Sequence, residues 1–143
     1  MTTPGELIIP LEAGAATTAV VYPAERPAAA LILGHGAGAG QRSAFMVAFA
    51  GALSALGLDI VTFNFLYAEQ GRRMPDRAPA LEACYRRVIA TVRDRVDSAG
   101  QRLFIGGKSM GGRIATQVAA ADPGLQVAGL VLLGYPLHPP GRP

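Results

Sequence analysis

A chain of 143 residues is the length of one domain, residues 1–143, long enough to bury a real core. Half of its residues are hydrophobic and only 16% are charged, which excludes a disordered chain. The net charge of +3 comes from arginines spread along the sequence, with no basic block of the kind that grips nucleic acid. The single cysteine, Cys84, cannot close an internal disulfide, and its place in an apolar pattern reads as a small buried hydrophobe. No zinc-ligand cluster, signal pattern or membrane-length apolar run is present. A cytoplasmic domain that needs no cofactor, metal or membrane is expected.

In chain order, residues 7–11 and 17–22 are short aliphatic and β-branched runs around small residues, which predicts a hairpin. Residues 28–33 form a continuous apolar strand ending in Gly34-His35-Gly36-Ala37-Gly38-Ala39-Gly40. Ser43 is placed to cap a helix that runs to about residue 56, where Gly57 stops it. Residues 59–65 read as another buried strand, followed by a polar loop over 66–75 carrying Arg72 and Arg73. Asp76 is expected to open a long amphipathic helix with Leu81, Tyr85, Val88, Val92 and Val96 on one stripe and a Glu82–Arg86 pair. A short apolar strand from Leu103, a second helix, a Pro123-Gly124 turn and an apolar strand over 127–133 complete the series. Strands alternating with helices after a hairpin predict an α/β fold: a mostly parallel sheet with helices on both faces.

The strand from Leu103 breaks into Gly106-Gly107-Lys108-Ser109-Met110-Gly111-Gly112, and a helix resumes with Ile114, Ala115 and Val118 on one face. Gly107-Lys108-Ser109-Met110-Gly111 fits G-x-S-x-G, the strained strand-to-helix turn that presents a nucleophilic serine. Turning within so few residues forces Ser109 into an unfavourable backbone conformation, and glycines two positions either side leave room for the neighbouring strand and helix. A phosphate-binding P-loop would need glycine at position 102, where Arg102 stands. The bland alternative is a tight glycine turn and nothing more. Lys108 is placed to reach toward the pocket mouth, while Asp94, Asp97 and Asp122 read as surface or capping residues.

The loop after the first parallel strand also fits a loose dinucleotide fingerprint, G-x-G-x-x-A over Gly34 to Ala39. That fingerprint needs a carboxylate at the end of the next strand. Asp59 stands at that strand's start and Glu69 lies too far down the loop. The same glycines serve better beside a nucleophile elbow, where an N–H from this loop joins the one after the serine to hold an oxyanion. Ala37 and Met110 would be the two donors.

Taken together, Leu33-Gly34-His35-Gly36-Ala37-Gly38, Phe63-Asn64-Phe65, Gly71-Arg72-Arg73-Met74-Pro75-Asp76, Gly106 to Arg113 and Gly134-Tyr135-Pro136-Leu137-His138-Pro139-Pro140-Gly141 resemble one family. It is the α/β-hydrolase family related to dienelactone hydrolases, which also includes the third subunit of the non-specific-lethal chromatin complex. The resemblance runs from about Ala28 onward, with Leu66 departing from the expected proline. It implies Ser109 as nucleophile, Ala37 and Met110 as oxyanion donors, and a small ester, thioester or lactone as substrate. It also implies an acid and a histidine after two further strands, which this chain lacks, so an incomplete and weakly active or inactive domain is expected. The alternative is a non-catalytic scaffold.

Two histidines could stand in as base. His35 belongs to the glycine loop, where a structural role is the better reading. His138 follows the last strand and is the stronger candidate, although its proline-rich setting favours packing at the rim. Arg72 and Arg73 could hold an anionic substrate, with a solvated loop face as the simpler account. Finally, the 127–133 strand lacks the charges or bulges that protect natural edges, so self-association through it is expected.

Overall fold

A computed structural model of the chain describes residues 4–137. The hairpin forms from β1 (Gly5–Pro10) and β2 (Ala16–Tyr22), antiparallel with Gly5 opposite Val21 and Pro10 opposite Ala16. β3 (Ala29–Gly34) follows, then α1 (Ala44–Ala55), whose N-terminus is capped by the Ser43 hydroxyl accepting from Met46 N–H at 3.4 Å. β4 (Leu58–Phe63), a single turn α2 (Leu66–Glu69), α3 (Ala78–Arg95), the short α4 (Asp97–Gln101), β5 (Leu103–Lys108), α5 (Met110–Ala121) and β6 (Gly129–Leu133) complete the order.

The six strands form one sheet in the order β1-β2-β4-β3-β5-β6. β4, β3, β5 and β6 are parallel, and the hairpin joins antiparallel through β2 against β4. The mostly parallel sheet and its N-terminal hairpin are as expected. β3 is buried along its whole length because helices cover both faces. On one face Leu31, Leu33 and Ile60 meet Met46 and Ala50 of α1. On the other, Ile32, Val61, Phe63 and Ile105 meet the α3 stripe and Ile114, Ala115 and Val118 of α5.

That stripe works as its spacing predicts. Leu81, Tyr85, Val88, Val92 and Val96 are all at most 9% exposed, and burial of each such side chain contributes roughly 1.5–3 kcal/mol. The opposite face carries the Glu82–Arg86 pair at 3.4 Å. Tyr85 does more than pack. Its hydroxyl accepts from Gly106 N–H at 3.0 Å and donates to Gly106 O at 2.6 Å, with Ile32 O at 3.1 Å, so it ties β3 to β5 just before the glycine turn. Complete burial pushes its phenol well above the usual range.

Four expectations need correction. The strand expected over 59–65 ends at Phe63, because Asn64 turns away to hold Gln41 and Glu69 through its side chain. The loop over 66–75 contains the single turn α2. The long helix begins at Ala78, with Pro79 in its first turn, and Asp76 instead pairs with Arg72 at 2.9 Å. The last strand starts at Gly129 rather than Val127, and it forms an edge of the sheet among the described residues.

Candidate active site

β5 ends at Lys108 and α5 begins at Met110, so the reversal falls on Ser109 alone. Its backbone has φ 51° and ψ −113°, a region that a residue with a Cβ adopts only when its surroundings force it. The surroundings are specific. A Cβ on Gly107 or on Gly111 would run into the carbonyl of Gly34, so these two glycines let the turn close against the end of β3. Ser109 N–H donates to Leu133 O at 2.8 Å, and Ser109 O accepts from Arg113 N–H at 3.1 Å. The side chain is half-buried, caps nothing and hydrogen-bonds to no described residue.

The glycine loop after β3 lies beside this turn. A Cβ on Gly36 would stand 3.9 Å from Ser109 Cβ and 3.7 Å from Lys108 O. Ala37, Ser109 and Met110 line one open cleft of about 460 Å³, with Leu81 and Leu137 among its apolar walls. Asp76 and Arg113 are its charged residues, and Asp76 is already held by Arg72.

His35 lies elsewhere. It is fully buried, and both ring nitrogens are engaged: Phe65 N–H donates to Nε2 at 3.1 Å, so Nδ1 carries the proton and donates to Gly36 O at 2.8 Å. Phe65 and Tyr67 meet the ring edge-on at 5.1 and 6.0 Å. Burial lowers its pKa, and the bond to Gly36 offsets part of that effect. A neutral ring with no free lone pair, absent from the cleft lining, is a prop for the loop and not a base. His138 lies outside the described residues. Arg72 and Arg73 do not line the Ser109 cleft; they line a separate one against Gly38 to Gly40. Lys108 is likewise not at the cleft, its Nζ resting over the Phe45 ring at 4.8 Å from the centroid.

The carboxylates considered for a dinucleotide ribose are both occupied. Asp59 accepts from Ala24 N–H at 2.8 Å and from the Ser98 hydroxyl at 2.7 Å. Glu69 accepts from the Thr18 hydroxyl at 2.8 Å and Asn64 Nδ2 at 3.0 Å. Burial works to raise its pKa, but bonds from Asn64, Thr18 and Thr17 outweigh it and hold the carboxyl below its usual range. Asn64 Oδ1 in turn accepts from Gln41 N–H at 2.9 Å, which anchors the far end of the glycine loop. Gln41 continues the network to Thr18 O at 3.1 Å and to the Thr62 hydroxyl at 2.9 Å. Sequence reasoning missed this network; the only signal was a run of polar residues at the edge of otherwise apolar strands. Cys84 is buried as expected, and desolvation pushes its thiol up to about 12.

Comparison with known proteins follows the same line. Residues 27–143 match the family described as "Alpha/beta hydrolase domain". The chain belongs to the α/β-hydrolase domain family. Among solved structures, this α/β-hydrolase domain is similar to a serine hydrolase without a lid from Xanthomonas campestris, with a TM-score of 0.78 at 22% identity over 95% of this chain and 63% of that one. An α/β serine hydrolase homologue from Coxiella burnetii gives 0.78 at 20% identity, over 96% and 65%. A dienelactone hydrolase from Anabaena variabilis gives 0.75 at 17%, over 90% and 62%. These likenesses establish the fold, and the chain spans less than two thirds of each of the three structures. No curated protein matches the sequence. Among the described residues, no helix is long and apolar enough to cross a membrane.

Proposed function

We propose that this α/β-hydrolase domain is a serine hydrolase of small esters, thioesters or lactones, with Ser109 as nucleophile and the N–H groups of Ala37 and Met110 as oxyanion donors. The strained backbone of Ser109, in a cleft shared with Ala37 and Met110, carries the reading. In the reaction, Ser109 Oγ would add to the acyl carbon as its proton passes to a base. The oxyanion would rest on the two N–H groups, and the leaving alcohol or thiol would depart with the proton. Water would then release the acid by the reverse sequence. α5 starts at Met110, directly after Ser109, so in this reading its free N–H groups and positive dipole end would support the developing charge.

A specific observation favours the second reading, a non-catalytic scaffold: Ser109 Oγ has no base bonded to it among the described residues. Asp76 is engaged by Arg72, and His35 by two main-chain groups. His138 follows Leu137, which lines the cleft, and is the candidate base on this chain.

Hydrolysis of p-nitrophenyl acetate by wild type and Ser109→Ala separates the two. The expected result is weak turnover that falls in Ser109→Ala to the residual supplied by the oxyanion hole and binding alone, about 10³–10⁴-fold over water. Turnover unchanged in Ser109→Ala would overturn the serine-hydrolase reading. A large activity lost in that variant would show that a base is present, and His138→Ala would then identify it.

A further inference from the structure

The glycine loop after β3 divides two clefts. Ala37 lines the Ser109 cleft, while Gly38, Ala39 and Gly40 line a second one of about 420 Å³. Three arginines from two separated segments line this second cleft: Arg42 before α1, and Arg72 and Arg73 after α2. Among the described residues, no acidic side chain lines it. We propose that this cleft is a phosphate-binding site, and that it selects acyl donors whose leaving group is a phosphorylated alcohol or thiol.

The charges carry the proposal. Three guanidinium groups gathered on one small concavity repel one another, and an anion placed among them relieves that repulsion. The acids that reach them come from outside the cleft and satisfy them unequally. Glu6 meets Arg42 at 3.3 Å, but both side chains are more than 60% exposed, so that pair is weak and readily exchanged. Arg73 makes no ion pair with a described residue.

Arg72 is held in a fixed orientation, with Nε and Nη2 on Gln70 Oε1 at 3.1 and 2.7 Å and Nη1 on Asp76 at 2.9 Å. A guanidinium fixed in this way loses little freedom on meeting a ligand, and the two N–H donors left over, one on each terminal nitrogen, can meet phosphate oxygens. The floor is bare backbone. Gly38 and Gly71 both have positive φ, +71° and +75°, and an added Cβ on either would meet nothing, so a ligand can approach the main chain closely. The Asn64 side chain borders the cleft, but its amide is committed to Gln41 and Glu69, which leaves ligand binding to the arginines.

The link to the first cleft is the Arg72–Asp76 pair. Arg72 lines the second cleft and Asp76 lines the first, so the two share a rim. A molecule with its acyl carbon at Ser109 and a phosphate at Arg73 would span that rim. This leaving-group assignment rests on the serine-hydrolase reading above. The phosphate site itself does not.

The test therefore reads binding apart from catalysis. The full ¹⁵N-labelled chain is titrated with inorganic phosphate and with diphosphate, sodium chloride holding the ionic strength constant. Saturable shifts are expected at the amides of Gly38, Gly40 and Arg73, with diphosphate the tighter ligand. Arg73→Gln should weaken diphosphate by about tenfold, the loss of one charge-assisted contact. The distant exposed Arg95→Gln should leave it unchanged, and Ser109→Ala should bind as wild type does.

No saturation, or equal weakening by Arg73→Gln and Arg95→Gln, would overturn the site. So would Arg73-dependent binding of a single-stranded oligonucleotide or of phosphatidylserine vesicles without saturable diphosphate binding. For the leaving group, p-nitrophenyl acetate hydrolysis is followed with added diphosphate. If diphosphate binds while hydrolysis does not depend on Ser109, the site stands and the hydrolase reading falls. If hydrolysis depends on Ser109 and diphosphate does not bind, the reverse holds.

Discussion

The main-chain N–H of Ser109 donates to the carbonyl of Leu133 at 2.8 Å, so the strained turn is held by the edge strand as well as by its own glycines. β5 and β6 can approach so closely because Gly106 has no side chain: a Cβ there would collide with the backbone of Val131. Gly106→Ala should push β6 away, cost about 3 kcal/mol or more in urea denaturation, and release the Ser109 amide to hydrogen exchange. A cost below about 0.5 kcal/mol with the amide still protected would mean the turn does not depend on β6.

The strain at Ser109 predicts a gain from its removal. A backbone held at φ 51° and ψ −113° costs about 1–3 kcal/mol, while glycine in its place costs about 0.5–1 kcal/mol in entropy. The hydroxyl is bonded to no described residue, so its loss removes little else. Ser109→Gly should raise the melting temperature by roughly 3 °C while abolishing any Ser109-dependent chemistry. A lower melting temperature would show that the side chain supports the turn.

Much of this was legible because it repeats. The α3 stripe has a helical period and the buried strands are uniform apolar runs, so burial dictates both. The turn at Ser109 was legible for another reason: Gly107 and Gly111 are required by contact with Gly34, and a steric requirement leaves a fixed spacing. What escaped is what the fold assembles from distant segments. Gln41 stands in the loop before α1, Asn64 in the turn after β4 and Glu69 at the end of α2, and no local pattern announces their bonds. Four residues of α2 are too few to show a period. Arg42 gave no sign of joining Arg72 and Arg73, since only the folded loop brings them to one cleft.

His35 makes stability depend on pH with a definite sign. Its folded pKa lies below the unfolded value of 6.5, mainly through desolvation, so the unfolded chain binds the extra proton first. Its contribution is fully present above 6.5 and is lost as pH falls from there toward the folded pKa. The slope is at most about 1.4 kcal/mol per pH unit. Urea midpoints between pH 7.5 and 5.5 should fall for wild type and fall less steeply for His35→Gln. Equal slopes would place the titration on another group.

Among the described residues β6 is an edge strand, and its Leu130 and Leu132 are each 41% exposed. Nothing in Gly129–Leu133 carries a charge or proline to deter pairing with another strand. Self-association through this edge is expected, seen as a dimer or larger species by size-exclusion chromatography with light scattering. Leu132→Lys should shift it toward monomer. A monodisperse wild-type monomer at about 100 μM would show that the edge is protected after all.

The most direct test of the account asks which serine is chemically distinct. The chain is incubated with a fluorophosphonate, digested and mapped by mass spectrometry over time. The account predicts an adduct on Ser109 that forms faster than on Ser43, Ser54 or Ser98 and is lost in Ser109→Ala, because Ser109 shares its cleft with Ala37 and Met110, whose N–H groups would, in the proposed site, hold the phosphonyl oxygen. Modification of Ser109 no faster than of the other serines would contradict it.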